Sequence, residues 1–150
     1  MKSDVREARA YQSAGIVPEV IMIDIDEGIF KSRLHHFDSN RKALFGAVEH
    51  VLDRINEKFQ GKFSPTVLWT GNGCHIYLPI QLSGPSWCLG ATDFMKLSKM
   101  PDRDFLRWAE LYLSDGLCDP KHCETTSFLN MWFRVPGSYN SKNGEQIRIL

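Results

Sequence analysis

The sequence predicts an α+β fold in which helices cover one face of a β-sheet. Three observations predict this class. A β-prone apolar run ends at two acids near residue 26, an Asn-Gly step separates two apolar runs near residue 72, and helical periodicity occurs before and after that step. The order is strand, long helix, two strands, helix and two strands, which is typical of helices packed over one sheet.

The first half of the chain contains the clearest elements. Residues 4–14 are predicted to form a short helix. The apolar run at 19–26 is typical of a buried strand, because it does not alternate with polar residues until its end. A long helix follows, with N-cap candidates at 38–40, apolar residues at helical spacing over 43–59 and Gly61 at the C-cap.

The second half begins with a hairpin, because Gly71-Asn72-Gly73 lies between two apolar strand candidates. Pro101-Asp102 then opens a second helix after a loop rich in Gly, Pro and Ser. The predicted ranges are 66–70 and 75–82 for the hairpin strands, 83–100 for the loop, 101–114 for the helix, and 131–135 and 146–150 for two last strands around a polar turn at 138–144. Residues 118–130 give no clear pattern.

Length and composition bound the class of protein. The chain has 150 residues without a linker or repeat, so we expect one domain, and its apolar end at Leu150 predicts a catalytic piece of a longer protein. No apolar run approaches the roughly 20 residues of a membrane span, and the charged N-terminus is unlike a signal peptide. We therefore expect an intracellular, cytoplasmic protein with no membrane partner. The net charge is zero, with 18 Lys plus Arg against 18 Asp plus Glu, which disfavours strong duplex binding by this chain alone.

Two carboxylates are the first candidate site. Asp24 and Asp26 are two residues apart at the end of the first strand, so their side chains point to the same face. Burying two like charges together is unfavourable unless a positive charge lies between them, and carboxylate oxygens suit Mg²⁺ or Mn²⁺. The alternative is that these acids end the strand and are solvated.

Two later segments offer anion-binding groups. The hairpin turn contains Gly71 and Gly73, whose backbone can approach a phosphate closely, and His75 follows at the start of a strand. The turn from Arg134 to Lys142 carries a cation at each end, and Arg can bind phosphate oxygens in bidentate fashion. The alternatives are a plain hairpin with a structural histidine and an ordinary polar turn with solvated cations.

Taken in order, these patterns resemble the motifs of the archaeal-eukaryotic primase superfamily, in particular its compact primase-polymerases. The matching segments are Ile23-Asp24-Ile25-Asp26, Gly73-Cys74-His75, Cys118-Asp119 and the turn from Arg134 to Lys142, and the resemblance covers residues 20–150. By itself, Asp119 reads only as a turn residue before proline. The chain departs from the pattern at Gly73, where Ser is common, and at Ser138-Tyr139-Asn140, where Ser-Leu-His is common.

The resemblance implies a fold, an activity and a site. The fold would be an RRM-like antiparallel or mixed sheet with helices on one face. The activity would be that of a metal-dependent DNA primase or polymerase, which joins (d)NTPs to a primer or an initiating nucleotide on a single-stranded DNA template and works with an additional domain or a helicase. Two Mg²⁺ or Mn²⁺ ions would be held by Asp24, Asp26 and Asp119, and the nucleotide would be bound by Gly71, Gly73, His75, Arg134, Ser138, Asn140 and Lys142.

Three other interpretations stay open. Tyr139 and Lys142 have the Tyr-x-x-Lys form of a nuclease or rolling-circle replication initiator, although a His-hydrophobe-His metal pair is missing from the sequence. A non-catalytic RRM-like module would stack bases on sheet aromatics, for which the candidates are Trp69, Tyr77, Trp132 and Phe133. A zinc site would use Cys118, His122 and Cys123, with Cys88 distant; because no Cys-x-x-Cys pair is present, we do not expect zinc.

Overall fold

The computed structural model describes residues 20–31, 37–79, 102–125 and 133–150. Within these ranges the predicted α+β class is confirmed. The elements in chain order are β1 (Val20–Asp26), α1 (Gly28–Lys31), α2 (Phe37–Phe59), β2 (Thr66–Trp69), β3 (Gly73–Pro79), α3 (Asp102–Ser114), α4 (Pro120–Thr125) and β4 (Arg148–Ile149). None of the helices in these ranges is long and apolar enough to cross a membrane.

The four strands form one antiparallel sheet in the order β1-β3-β2-β4. The hairpin therefore places β3 in the middle, between β1 and β2, while α2 makes the connection from β1 to β2. Among the described strands, this arrangement leaves β1 at an edge of the sheet. The outward main-chain groups of β1 are therefore not satisfied by any other described strand.

Strand alternation separates the core from the opposite face of the sheet. Every second residue of β1 faces the helices, and the neighbouring strands follow the same alternation. The core side of the sheet consists of Ile21, Ile23, Ile25, Val67, Trp69, Cys74, Ile76 and Leu78, and the helices α2 and α3 cover it with Leu44, Ala47, Val48, Val51, Ile55, Leu106, Ala109 and Leu113. The intervening positions, among them Asp24, His75 and Tyr77, belong to the other face.

The long helix follows its predicted range but starts slightly earlier. It begins at Phe37, so the predicted caps at 38–40 lie in its first turn. It ends in two residues of the left-handed region, Gln60 (φ 54°) and Gly61 (φ 70°), and the Gly61 N–H donates to the Asn56 carbonyl at 3.1 Å. This is a Schellman ending, in which Gln60 occupies the position that glycine favours.

Gln60→Gly is expected to raise the free energy of unfolding by about 0.5–1 kcal/mol, because a side chain in the left-handed region is strained. Gln60→Ala is the matched control, since it shortens the side chain and keeps the Cβ. Urea unfolding of the two variants measures the difference. Equal stability of the glycine and alanine variants would argue against the left-handed ending.

The C-terminal region differs from its prediction. No strand forms over 133–135, and the last strand is short, with a single additional bridge between Tyr139 and Gln146. The reason is that the Arg134 N–H donates to the hydroxyl of Tyr77 at 3.1 Å, so it is not available to a neighbouring strand. Residues 118–130, which show no clear pattern in the sequence, contain α4. The predicted helix at 4–14 and loop at 83–100 lie outside the described residues.

Candidate active site

Asp24 and His75 form the centre of the candidate site. They are directly opposite each other in the pairing of β1 with β3, and both belong to the face away from the helices. His75 Nε2 lies 3.5 Å from Asp24 Oδ1. The strand alternation that puts Ile23 and Ile25 into the core therefore also brings these two side chains together.

Asp119 reaches the same place through its main chain. The Asp119 N–H donates to the Asp24 carbonyl at 2.7 Å, and the Asp24 N–H donates to Glu110 Oε1 at 3.1 Å. Both main-chain groups of Asp24 thus point away from β3, so Asp24 and His75 are a non-hydrogen-bonded pair of the ladder. Side chains in such pairs lie especially close.

The charges around Asp24 are predominantly negative. Burial raises the pKa of Asp24 from 3.8 to about 7; His122 acts against this increase, whereas Asp119, Asp26 and Glu110 add to it. Burial opposes charge on His122 as well, but its hydrogen bond to Glu110 and the nearby carboxylates raise its pKa overall. Proton uptake by Asp24 or binding of a cation would relieve this excess of negative charge.

His75 is kept neutral by its surroundings. Burial lowers the pKa of His75 to about 3, and the nearby cations His122 and Arg134 act in the same direction. Tyr77 lies between His75 and Arg134, since its hydroxyl accepts the Arg134 N–H and is 3.1 Å from His75 Nδ1. Donation of the hydroxyl hydrogen to Nδ1 would place the imidazole proton on Nε2, the nitrogen that faces Asp24.

The predicted turn residues hold the C-terminal segment against the hairpin. The side chain of Asn140 is buried; it donates to the Thr70 carbonyl at 2.6 Å and accepts the Lys142 N–H at 2.9 Å. Asn143 donates to the Gly71 carbonyl at 3.0 Å, and Ser138 Oγ donates to the Val135 carbonyl at 2.6 Å. In this conformation the side chains of Asn140 and Ser138 therefore stabilise the turn itself.

The two hairpin glycines have packing reasons of their own. A Cβ on Gly73 would lie 2.3 Å from the Ile25 carbonyl oxygen in the neighbouring strand. Gly71 has a φ of 95°, and a Cβ there would lie 2.9 Å from the side chain of Asn143. Neighbouring groups of the protein thus lie too close to Gly71 and Gly73 for a side chain there. This packing explains both glycines whether or not a phosphate binds to the hairpin turn.

The carboxylates are adjacent but do not converge on one point. Asp26 Oδ1 accepts the Gly28 N–H at 2.6 Å, and Asp119 Oδ1 accepts the Lys121 N–H at 3.1 Å. In the part of the chain that the structure describes, no group of three or more His, Cys, Asp or Glu side chains stands ready to hold a metal ion. The donor set nonetheless suits a hard divalent cation by its chemistry, because each of these aspartates retains a second oxygen.

The cations of the predicted site differ in position. Arg134 is half-buried and close enough to His75 to influence its pKa. Lys142 is exposed on the polar turn, and Tyr139, the nucleophile of the alternative interpretation, is 69% exposed in the same segment. Of the stacking candidates, Trp69 is buried in the core and Phe133 is exposed against Tyr77; Trp132 lies outside the described residues.

Sequence reasoning missed Glu110, and it considered Tyr77 only as a base-stacking aromatic and not as a partner of His75. Glu110 is fully buried, and its Oε1 accepts hydrogen bonds from Asp24 N–H and, at 2.9 Å, from His122 Nδ1. A signal was present, since Glu110 falls between Leu106 and Leu113 on the apolar side of α3. An acid at such a position points either to an ion pair or to a functional site.

The cysteines considered for zinc are part of the core. Cys118 and Cys123 are buried, and burial raises the pKa of both thiols, that of Cys123 to about 12.

Comparison of the chain with protein-family models, curated proteins and solved structures found no match. The functional interpretation therefore depends on the geometry above and on the motif resemblance.

Proposed function

We propose that this chain is the catalytic domain of a metal-dependent nucleotidyltransferase, a DNA primase or polymerase that extends a primer or an initiating nucleotide on a single-stranded DNA template. One observation carries the proposal. Asp24, His75 and Asp119 come from three distant segments: Asp24 and His75 lie opposite each other on one face of the sheet, and Asp119 is hydrogen-bonded to Asp24 at the edge of β1. The antiparallel sheet with helices on its other face is in keeping with an RRM-like fold, which we include in the proposal.

The carboxylates would hold the metal ions. Asp24, Asp26 and Asp119 would bind Mg²⁺ or Mn²⁺, and Glu110 adds a fourth negative charge beside Asp24. When bound, such ions lower the pKa of an attacking hydroxyl and neutralise the triphosphate and the departing pyrophosphate. The raised pKa of Asp24 supports this assignment, because a bound cation would offset the burial and the neighbouring negative charges that disfavour its ionised form.

The remaining residues would bind and orient the nucleotide. His75, with its proton on Nε2, can donate a hydrogen bond to a phosphate oxygen without carrying a charge itself. Arg134 supplies a guanidinium close to His75, and Lys142 supplies a point charge from the exposed turn. In-line transfer depends mainly on such positioning and on charge neutralisation.

A primer-extension assay and a de novo priming assay, each with Mg²⁺ and with Mn²⁺, test the proposal. We expect nucleotide incorporation that requires the metal and that the double variant Asp24→Ala, Asp26→Ala abolishes. Absence of incorporation by the folded wild-type chain in all four conditions would refute it, as would undiminished incorporation by the double variant.

Tyr139→Phe distinguishes this function from that of a rolling-circle initiator. We expect incorporation to stay unchanged in the variant, because the proposed chemistry uses no tyrosine nucleophile. Denaturing gels of the wild-type protein with single-stranded DNA provide the second measurement. A covalent adduct that disappears in Tyr139→Phe would favour the initiator instead.

Tyr77→Phe is expected to reduce kcat/KM for incorporation about 10- to 100-fold, because the hydroxyl that orients His75 is lost. Long-range ¹H–¹⁵N correlation spectra should show the proton of His75 on Nε2 in the wild type and a mixture of tautomers in the variant. Tyr112→Phe, on the exposed side of α3, is the matched control. An unchanged tautomer in Tyr77→Phe would argue against this role of the hydroxyl.

A further inference from the structure

A fully buried carboxylate lies directly behind the candidate site. Glu110 has no exposed surface, and its helical neighbours Leu106, Ala109 and Leu113 are buried and apolar. Burial of a charge in such a place is unfavourable unless the charge is paired and hydrogen-bonded. Glu110 Oε1 has two donors, Asp24 N–H and His122 Nδ1, whereas Oε2 has no hydrogen-bond partner among the described residues.

The two donors belong to the segments that carry the proposed metal ligands. Asp24 is on β1, and its main-chain carbonyl accepts the N–H of Asp119. Asp119 immediately precedes α4 and is part of its first turn, because its carbonyl accepts the Cys123 N–H at 3.0 Å and its carboxylate accepts the Lys121 N–H. His122 lies in that same turn, so the bond from His122 to Glu110 fixes the segment that contains Asp119.

We propose that Glu110 and His122 form a positioning pair, which holds Asp119 beside Asp24 by tying the start of α4 to the edge of β1. The inference rests on the proposed function, in which these two aspartates bind the same metal ions. It assigns no contact with substrate to either member of the pair. Their effect passes through the placement of the carboxylates.

A positioning role and a merely structural role predict different effects of substitution. Buried ion pairs contribute little net stability, and replacing them with apolar groups is often neutral or stabilising. If the pair positions the aspartates, an apolar residue at 110 will preserve the fold and impair the site. If the pair only stabilises, folding and activity will decline together.

Three variants of the full chain test the pair. Glu110→Gln retains an oxygen that can accept both hydrogen bonds, Glu110→Met retains only the bulk, and Glu49→Gln on the exposed side of α2 is the control. Three quantities are measured: amide exchange of Asp24 and Asp119 by NMR, Mn²⁺ affinity by electron paramagnetic resonance, and the kinetics of nucleotide incorporation.

In Glu110→Met we expect the Asp24 amide to exchange at least about 10-fold faster, and Mn²⁺ to bind about 10- to 100-fold more weakly. We expect kcat to fall by a similar factor while KM for the nucleotide changes little. Glu110→Gln should stay within about 5-fold of the wild type in each quantity. Wild-type amide exchange and Mn²⁺ affinity in folded Glu110→Met would overturn the proposal. So would changes of equal size in Glu110→Gln and Glu110→Met in these quantities.

His122→Ala tests the other member should Glu110→Met fail to fold. We expect faster exchange of the Asp119 amide and weaker Mn²⁺ binding, with His50→Ala as the control at an exposed histidine of α2. An unchanged Asp119 amide and unchanged Mn²⁺ affinity would overturn the pair. Amide exchange does not depend on activity. Thus, if the wild type bound no Mn²⁺ and incorporated no nucleotide, the proposed function would fail, and amide exchange would still decide whether the pair positions Asp119.

Discussion

Asp24→Asn is expected to abolish nucleotide incorporation and, in metal-free buffer at pH 8, to make the protein more stable. The loss of activity should be about 10³-fold or more, because the carboxylate most closely associated with the site is removed. The gain in stability follows from the raised pKa of Asp24, which is about 7 in the folded chain against 3.8 ordinarily. The fold disfavours the ionised carboxylate, whereas asparagine carries no charge.

The sign of the pH dependence follows from proton binding. Between about pH 4 and pH 7 the folded chain keeps the Asp24 proton and the unfolded chain has lost it, so wild-type stability declines as pH rises through this window. His75 makes stability rise with pH instead, because its pKa in the folded chain is lowered to about 3. Both the wild type and Asp24→Asn contain His75, so its contribution largely cancels from the difference between them. We therefore expect Asp24→Asn to exceed the wild type by about 1–3 kcal/mol at pH 8 and by much less near pH 4.

Urea unfolding with a chelator, at both pH values, measures this difference. Asp53→Asn, at an exposed position of α2, is the matched control and should leave stability and incorporation unchanged. A less stable Asp24→Asn at pH 8 would contradict the electrostatic description of the site. Near wild-type incorporation by the variant would contradict its catalytic assignment.

Gly73→Ala is expected to have the largest effect on stability, a loss of about 3 kcal/mol in the free energy of unfolding. A Cβ at this position would lie 2.3 Å from the Ile25 carbonyl oxygen and 2.9 Å from the Asp26 Cα. Both are backbone atoms of the adjacent strand, so neither can move aside without disturbing β1.

Gly46→Ala supplies the contrast, because nothing lies within 4 Å of a Cβ at this exposed helical position. It should gain about 0.5–1 kcal/mol, since alanine restricts the unfolded chain and favours the helix. Thermal and urea unfolding compare the two variants. A cost below about 1 kcal/mol for Gly73→Ala would show that the pairing of β1 with β3 is looser than described.

Much of the fold could be predicted because its elements are encoded locally. The helical spacing of α2 and the Asn-Gly step of the hairpin depend only on residues close in sequence. The prediction of a strand over 131–135 was wrong for residues 133–135, because the Arg134 N–H donates to the hydroxyl of Tyr77, which is 57 residues away. Strand formation depends on such distant partners more than helix formation does.

The candidate site divides in the same way. Asp24, His75 and Asp119 could be nominated from their motifs, whereas the part played by Glu110 depends on an amide 86 residues away. Asn140 was nominated for the nucleotide, and the structure adds a second task for it, since its side chain joins the turn to the Thr70 carbonyl. The residue type of Asn140 alone does not show whether its side chain binds a nucleotide or holds the turn in place.

A crystal of the chain soaked in Mn²⁺ tests whether the three aspartates bind a metal ion, because anomalous scattering locates the metal without reference to activity. We predict an anomalous peak bounded by the carboxylates of Asp24, Asp26 and Asp119, and its loss in Asp24→Ala, Asp26→Ala. Manganese peaks only elsewhere on the chain, with these three carboxylates in their metal-free contacts, would show that Asp24, Asp26 and Asp119 are not the metal ligands.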